Sequence, residues 1–194
     1  MDPWRDEFVA GLELFGRVSA EMQRRGFTRP VLVGGAAVEI YTGGIIATGD
    51  FDIVVGRNDV LEDVFVTLGF ERPRGAGVAT RGWVYRELRM GFEIVDSVLL
   101  DGAADRSRVR MFSSRAADDF EIISVEDLIA DRMGQYASGS APDMLGQAQT
   151  LFDLYSDADM DYLERRIREE TLNEHGIATL RSRRQGDDAR SVRA

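Results

Sequence analysis

Apolar residues recur at every third or fourth position near the start of the chain: Trp4, Phe8, Leu12, Phe15, Val18 and Met22. That period predicts an amphipathic helix over residues 4–25, with Gly11 and Gly16 as local costs to its propensity. Gly26 and Pro30 bracket a turn. Val31-Leu32-Val33 then reads as a short buried strand that runs into Gly34-Gly35 and a helix, AAVEIY. FDIVV at 51–55 is a second buried strand. Asn58 or Asp59 is expected to cap a helix that runs to about Leu68 and ends at Gly69. A Gly-, Pro- and Arg-rich loop follows over residues 71–82. Strands over about 83–88 and 92–100 come next, joined by a turn near Met90-Gly91, and shorter strands are expected around Arg108–Phe112 and at FEIIS.

The period then changes for good. Ser124-Val-Glu-Asp127 has the form of a capping box, in which a hydroxyl and a carboxylate satisfy the free amides of a helix start. Beyond it lie three helical stripes: Leu128, Ile129, Met133 and Tyr136; Leu145, Ala148, Leu151, Phe152 and Tyr155; and Met160, Leu163 and Ile167. The expected organisation is an α/β (α+β) core over residues 1–122, a mixed sheet flanked by helices. A helical section over 123–176 packs on it, and a poorly ordered arginine-rich tail over 177–194 completes the chain.

Composition narrows the chemistry. The 194 residues include no cysteine, which excludes a disulfide framework, a thiolate nucleophile and a cysteine-based zinc site. The one histidine, His175, reads as a helix C-terminal residue before Gly176 rather than a catalytic base. No stretch reaches the roughly 18 apolar residues of a membrane span, and the acidic N-terminus lacks an apolar signal region, so no membrane association and a cytoplasmic location are expected. The formal net charge is −10, and every one of the 24 basic residues is arginine. From Arg72 to Arg115 nine arginines stand against five acids, a net +4 that leaves −14 for the remainder. An acidic chain is a poor generic binder of nucleic acid, but this segment offers a local anionic landing surface. Within it Arg106, Arg108 and Arg110 alternate, so on a strand they line one face, to dock RNA or to guard a sheet edge. Arg74 and Arg81 sit in a loop that reads either as a lid over phosphates or as an ordinary connection.

Three acids carry the chemical signal. Asp50 and Asp52 flank Phe51 at the head of an apolar strand, so both carboxylates face one side while Phe51 and Ile53 enter the core. Carboxylates held that close repel unless a cation neutralises them, and magnesium prefers such hard oxygen donors. A neighbouring strand supplies Glu93 or Asp96. They are three apart and face opposite sides, and Glu93, between Phe92 and Ile94, is preferred as the third ligand. Gly34 and Gly35 leave room for a triphosphate to approach the backbone at a helix start.

A hydrophobic residue with two glycines, fourteen residues, Asp-x-Asp, and an acid on a later strand together resemble the polymerase-β-like nucleotidyltransferases. The flanking text GGAAVEIYTGG, TGDFDIVV, GFEIVDSVLL and ISVEDLIADRM is most similar to bacterial minimal nucleotidyltransferases, including abortive-infection type IV toxins. The resemblance covers about residues 30–155. It implies a polymerase-β-like mixed sheet with a C-terminal helical section, and Mg2+ held by Asp50, Asp52 and Glu93. It also implies transfer of NMP from an NTP to a hydroxyl acceptor by a two-magnesium mechanism. The acceptor it implies is a tRNA or a protein, with a neutralising antitoxin protein as partner. A small hydroxylated molecule such as an antibiotic is the alternative acceptor, and a non-catalytic binding module the alternative role. Two positions depart from the family pattern: Ala36 stands where many relatives carry Ser or Thr, and the chain has no lysine. Arg132 and Asp143 align with the family's lysine and aspartate, and so are the residues expected to contact nucleotide beside Gly34 and Gly35. Structural roles compete at both positions: a helix-surface ion pair of Arg132 with Glu126 or another acid, and a helix start at Asp143.

Overall fold

The computed structural model of the chain describes residues 3–73, 82–88, 90–113 and 117–182. It divides into two compact units, Met1–Ser124 and Val125–Ala194. The first is an α+β unit on a six-stranded mixed sheet. Its strands are β1 (Val31–Val33), β2 (Phe51–Val54), β3 (Trp83–Tyr85), β4 (Met90–Asp96), β5 (Arg110–Phe112) and β6 (Phe120–Ile122), in the order β3-β4-β2-β1-β6-β5. The central strand β2 runs antiparallel to β1 and parallel to β4, and β1 runs parallel to β6. The outer strands β3 and β5 pair antiparallel with β4 and β6.

Three helices belong to this unit: α1 (Asp6–Arg24), α2 (Gly34–Tyr41) and α3 (Asn58–Thr67). The period read in the sequence is the buried stripe of α1, where Phe8, Leu12, Phe15, Val18 and Met22 are all buried. Its two glycines are sites of close approach. A Cβ on Gly11 would meet the Phe51 ring at 2.8 Å, and one on Gly16 would meet the Asp118 carbonyl oxygen at 2.6 Å. Beneath α1 the rings of Phe51 and Phe92 stack at 4.7 Å between centroids. Phe8 and Phe15 reach Phe51, while Phe65 of α3 and Phe70 reach Phe92. One face of β2 and β4 is therefore sealed by aromatic packing, each ring contributing about 1.5–3 kcal/mol on burial. The alternate residues Asp52 and Glu93 fall on the other face.

Several local expectations are corrected. Met90 and Gly91 do not form a turn; both lie in β4, opposite Tyr85 and Val84, and the chain reverses over residues 86–88. β4 ends at Asp96 rather than near residue 100, because the Asp96 carboxylate accepts the amides of Ser97 (2.5 Å) and Val98 (3.3 Å) and bends the chain away. Arg57 occupies the N-cap position of α3, and neither Asn58 nor Asp59 caps it; Asp59 instead pairs with Arg57 at 2.7 Å. The arginine row does not form. Asp105 caps a short 3-10 helix at Arg106–Arg108, so only Arg110 lies on a strand, and Arg106 pairs with Glu121. Arg74 and Arg81 fall outside the described residues.

The second unit consists of α4 (Val125–Ala137), α5 (Met144–Leu154), α6 (Met160–Glu170) and a helical segment over residues 177–182. α4 packs against both α5 and α6. The three stripes supply its core, with Leu128, Ile129, Met133, Ala148, Leu151, Phe152, Leu163 and Ile167 all buried. Asp127 lies in this interior, where its carboxylate accepts from the Tyr162 hydroxyl (2.9 Å) and from Nε of Arg166 (2.8 Å). The tail boundary expected at residue 177 falls too early, because Ile177 and Leu180, spaced three apart, are both buried. His175 is not in the last turn of a helix. It follows the end of α6, with its ring against Tyr136 at 5.3 Å.

The segment over 177–182 is fastened by one carboxylate. Glu164 accepts the Ile177 amide at 2.7 Å and pairs with Arg168 at 2.6 Å. The Ile177 amide first, and then Arg168, hold its pKa below the ordinary 4.5 against the opposing effect of burial. A carboxyl with a depressed folded-state pKa contributes stability above its unfolded value and loses it as pH falls through the folded one. The protection factor of the Ile177 amide against hydrogen exchange should therefore decline as pH drops below 4.5. In Glu164→Gln that pH dependence should vanish.

Candidate active site

The end of β1 and the start of β2 lie side by side, with Val33 opposite Asp52. The chain leaves β1 through Gly34 at φ +61°, a left-handed conformation that costs a residue with a side chain roughly 1–2 kcal/mol. A Cβ at this position would overlap the Asp52 carboxylate, lying 2.7 Å from its Cγ. The Gly35 amide donates to Oδ2 of Asp52 at 3.3 Å. Gly35 itself is pressed against Thr48, whose Cβ would lie 3.1 Å from a Cβ added there. The close approach that the glycine pair permits is thus already used, by Asp52 and Thr48 of the same chain.

Asp52 stands directly beside Glu93 in the parallel register of β2 and β4, one residue after the Phe51–Phe92 pair. Residues in register on adjacent strands point to the same side, so these two acids are neighbours on the face opposite the aromatic stack. Asp50 immediately precedes β2 and is exposed, and its carboxylate lies over Gly91. A Cβ on Gly91 would come within 2.5 Å of Oδ1 of Asp50. Gly82 does the same service beside Glu93, where an added Cβ would sit 3.8 Å from the Glu93 Cβ and 3.2 Å from the Phe92 carbonyl oxygen. Gly34 and Gly91 thus lie where a side chain would overlap the carboxylates of Asp52 and Asp50. Asp96 is not among them, since it is engaged with the backbone at the exit of β4.

Hard carboxylate oxygens on two neighbouring strands and at the residue just before one of them are a donor set suited to magnesium. Asp50, Asp52 and Glu93 are the residues that would hold it. Among the described residues no three Asp, Glu or His side chains are already gathered into a ligating cluster.

Sequence reasoning missed Glu39. It lies in helix α2 and is 1% exposed. Its Oε2 accepts the Thr48 amide at 2.6 Å and the Thr48 hydroxyl at 3.1 Å, and Oε1 accepts Nε of Arg5 at 3.2 Å. Arg5 also donates to the Thr48 carbonyl. An acid at a helix position flanked by valine and isoleucine was the available signal.

Arg132 and Asp143 belong to the second unit. Arg132 is buried and makes the expected kind of ion pair, with Asp131 at 2.8 Å as its acid, while the Glu126 carboxylate accepts the amide of Asp159. Nη1 of Arg132 reaches Sδ of Met144 at 3.4 Å, which brings the guanidinium to the residue following Asp143. Asp143 is exposed at the N-cap position of α5, without a side-chain capping bond. Ala36 is fully buried. A separate cavity of about 310 Å³ lies at the other end of the strands, lined by Val31, Val54, Val55, Leu99, Arg29 and Arg106 among others, and includes none of the three acids. Among the described residues no helix is long and apolar enough to cross a membrane. No protein-family model matches the chain, and no curated protein matches it significantly.

Proposed function

We propose that this protein is a magnesium-dependent nucleotidyltransferase that moves NMP from an NTP to a hydroxyl acceptor. The observation that carries the reading is the in-register placement of Asp52 beside Glu93, one step from Asp50 over Gly91, next to the left-handed turn at Gly34. The resemblance of the Gly-Gly and Asp-x-Asp segments to polymerase-β-like enzymes supports the same chemistry. Bound magnesium would supply charge neutralisation at the attacking and leaving oxygens of an in-line displacement. The chain's own part is positional. Asp50, Asp52 and Glu93 fix where the cations stand, and an exposed carboxylate such as Asp50 is available to accept the acceptor's proton.

The test is incubation with each labelled NTP and magnesium against pools of tRNA, protein and hydroxylated cations such as aminoglycosides. Label should enter one pool and disappear in Asp50→Ala combined with Asp52→Ala. Failure of wild type with every NTP and acceptor, or transfer that survives in the double variant, sinks the reading. A tRNA-directed toxin with an antitoxin partner would also arrest growth on expression only while those aspartates are intact. The small cationic acceptor is the second reading, and one observation favours it. The row of arginines that suited RNA is absent, and Arg106 is paired with Glu121. The net charge of −10 would attract such a cation.

A further inference from the structure

We propose that Glu39, acting on Thr48 together with Arg5, is a positioning residue for Asp50; this rests on the nucleotidyl-transfer reading of the acidic face. Between Tyr41, the last residue of α2, and Phe51, the first of β2, lies TGGIIATGD, with three glycines in nine residues and no regular strand or α-helix. A chain of that composition has high conformational entropy, and the turn bonds that tie its first half to α2 end at Ile46, well short of Asp50. The fixing occurs at Thr48. Its amide and hydroxyl are held by Glu39, and its carbonyl by Arg5, which also binds both Glu39 oxygens at 3.2 and 3.3 Å. Its Cβ rests against Gly35 at the first turn of the same helix. Both polar groups of the Thr48 backbone are thereby oriented, two residues ahead of Asp50.

A purely structural need would be met more cheaply by an apolar residue, because a buried charge with imperfect partners is costly. The carboxylate makes sense where one peptide must be aimed, and it couples the start of α1 to the entrance of β2. Partners that orient ligating residues typically change metal affinity or activity 10–100-fold when lost.

The test compares wild type with Glu39→Gln and Arg5→Met. The Arg5 side chain is 42% exposed, so its loss is compatible with folding if the Glu39 variant is not. The first readout is backbone 15N relaxation, which needs no metal. Asp50 should be as ordered as β2 in wild type, with an order parameter near 0.85, and should fall below about 0.6 in both variants. The second is Mn2+ binding followed by proton relaxation, weakened about tenfold or more by either change. The third is kinetic: kcat at fixed subsaturating magnesium should drop while KM for the NTP holds. Arg5→Lys should restore only part, since an ammonium lacks the guanidinium fork. Unchanged order at Asp50 in the folded variants overturns the clamp whatever the enzyme does. If wild type transfers nothing while Asp50 still loosens in the variants, the positioning stands and the nucleotidyl-transfer reading falls.

Discussion

Arg166→Met should unfold the helical unit at denaturant concentrations that leave the wild type intact, with a loss of about 3–5 kcal/mol. Arg166 is fully buried, and its guanidinium touches three carboxylates: Asp127 at 2.8 Å, Glu169 at 2.7 Å, and Glu170. Burial works against the charged form, but the hydrogen bonds to Asp127, Glu169 and Glu170 outweigh it and raise the pKa above the ordinary arginine value. The charge is therefore permanent, and Asp127, at 1% exposure, depends on it. Removing the guanidinium takes the charged partner at 2.8 Å away from a carboxylate held in the interior. Domains of this size have only about 5–15 kcal/mol to lose. Urea unfolding followed by far-UV circular dichroism should show a lower midpoint at an unchanged slope. Adding Asp127→Leu to Arg166→Met should recover part of the loss, since it removes the buried charge that has lost its guanidinium. If the double variant is no more stable than the single one, the packing of the long side chain matters more than its charge.

The second large effect is expected from Gly34→Ala. The left-handed backbone at φ +61° costs about 1–2 kcal/mol for any residue with a side chain, and the added methyl collides with the Asp52 carboxylate for about 1–3 kcal/mol more. Gly26→Ala separates the two costs, because Gly26 has φ +83° with nothing within 4 Å of an added Cβ. That control should lose stability from strain alone and keep any nucleotidyl transfer. Gly34→Ala should lose both, with transfer down by on the order of 100-fold as the carboxylate is pushed out of place. Thermal unfolding and the labelled-NTP assay measure the two effects. Equal behaviour of the two variants would show that the Asp52 contact is unimportant.

The regular parts of this protein were legible because their signals are local. The stripe of α1, the VLV and FDIV strands and the alternation that separates Asp52 from Phe51 depend only on spacing along the chain. What stayed hidden depends on partners distant in sequence. Gly11 and Gly16 looked like defects in a helix, since Phe51 and Asp118, which need their space, lie elsewhere in the chain. Gly91 read as a turn for the same reason, although it is a strand residue lying under Asp50. Glu39 acquires its meaning only once a loop folds back to bring Thr48 to it. The arginine alternation misled because one short-range bond, Asp105 to the Ser107 amide, outcompeted extension and wound residues 106–108 into a 3-10 helix.

The stacked rings of Phe51 and Phe92 give the acidic face a mechanical property. Each ring is the sequence neighbour of an acid on the same strand, so the lateral spacing of Asp52 and Glu93 is inherited from a dry, close-packed layer directly behind them. Salt, pH and bound ions act on the wet side and leave that layer untouched. The gap between these two donor-bearing backbones is accordingly a constant of the fold, set from behind by apolar packing, while Asp50, which precedes the strand, takes its place from the polar clamp at Thr48.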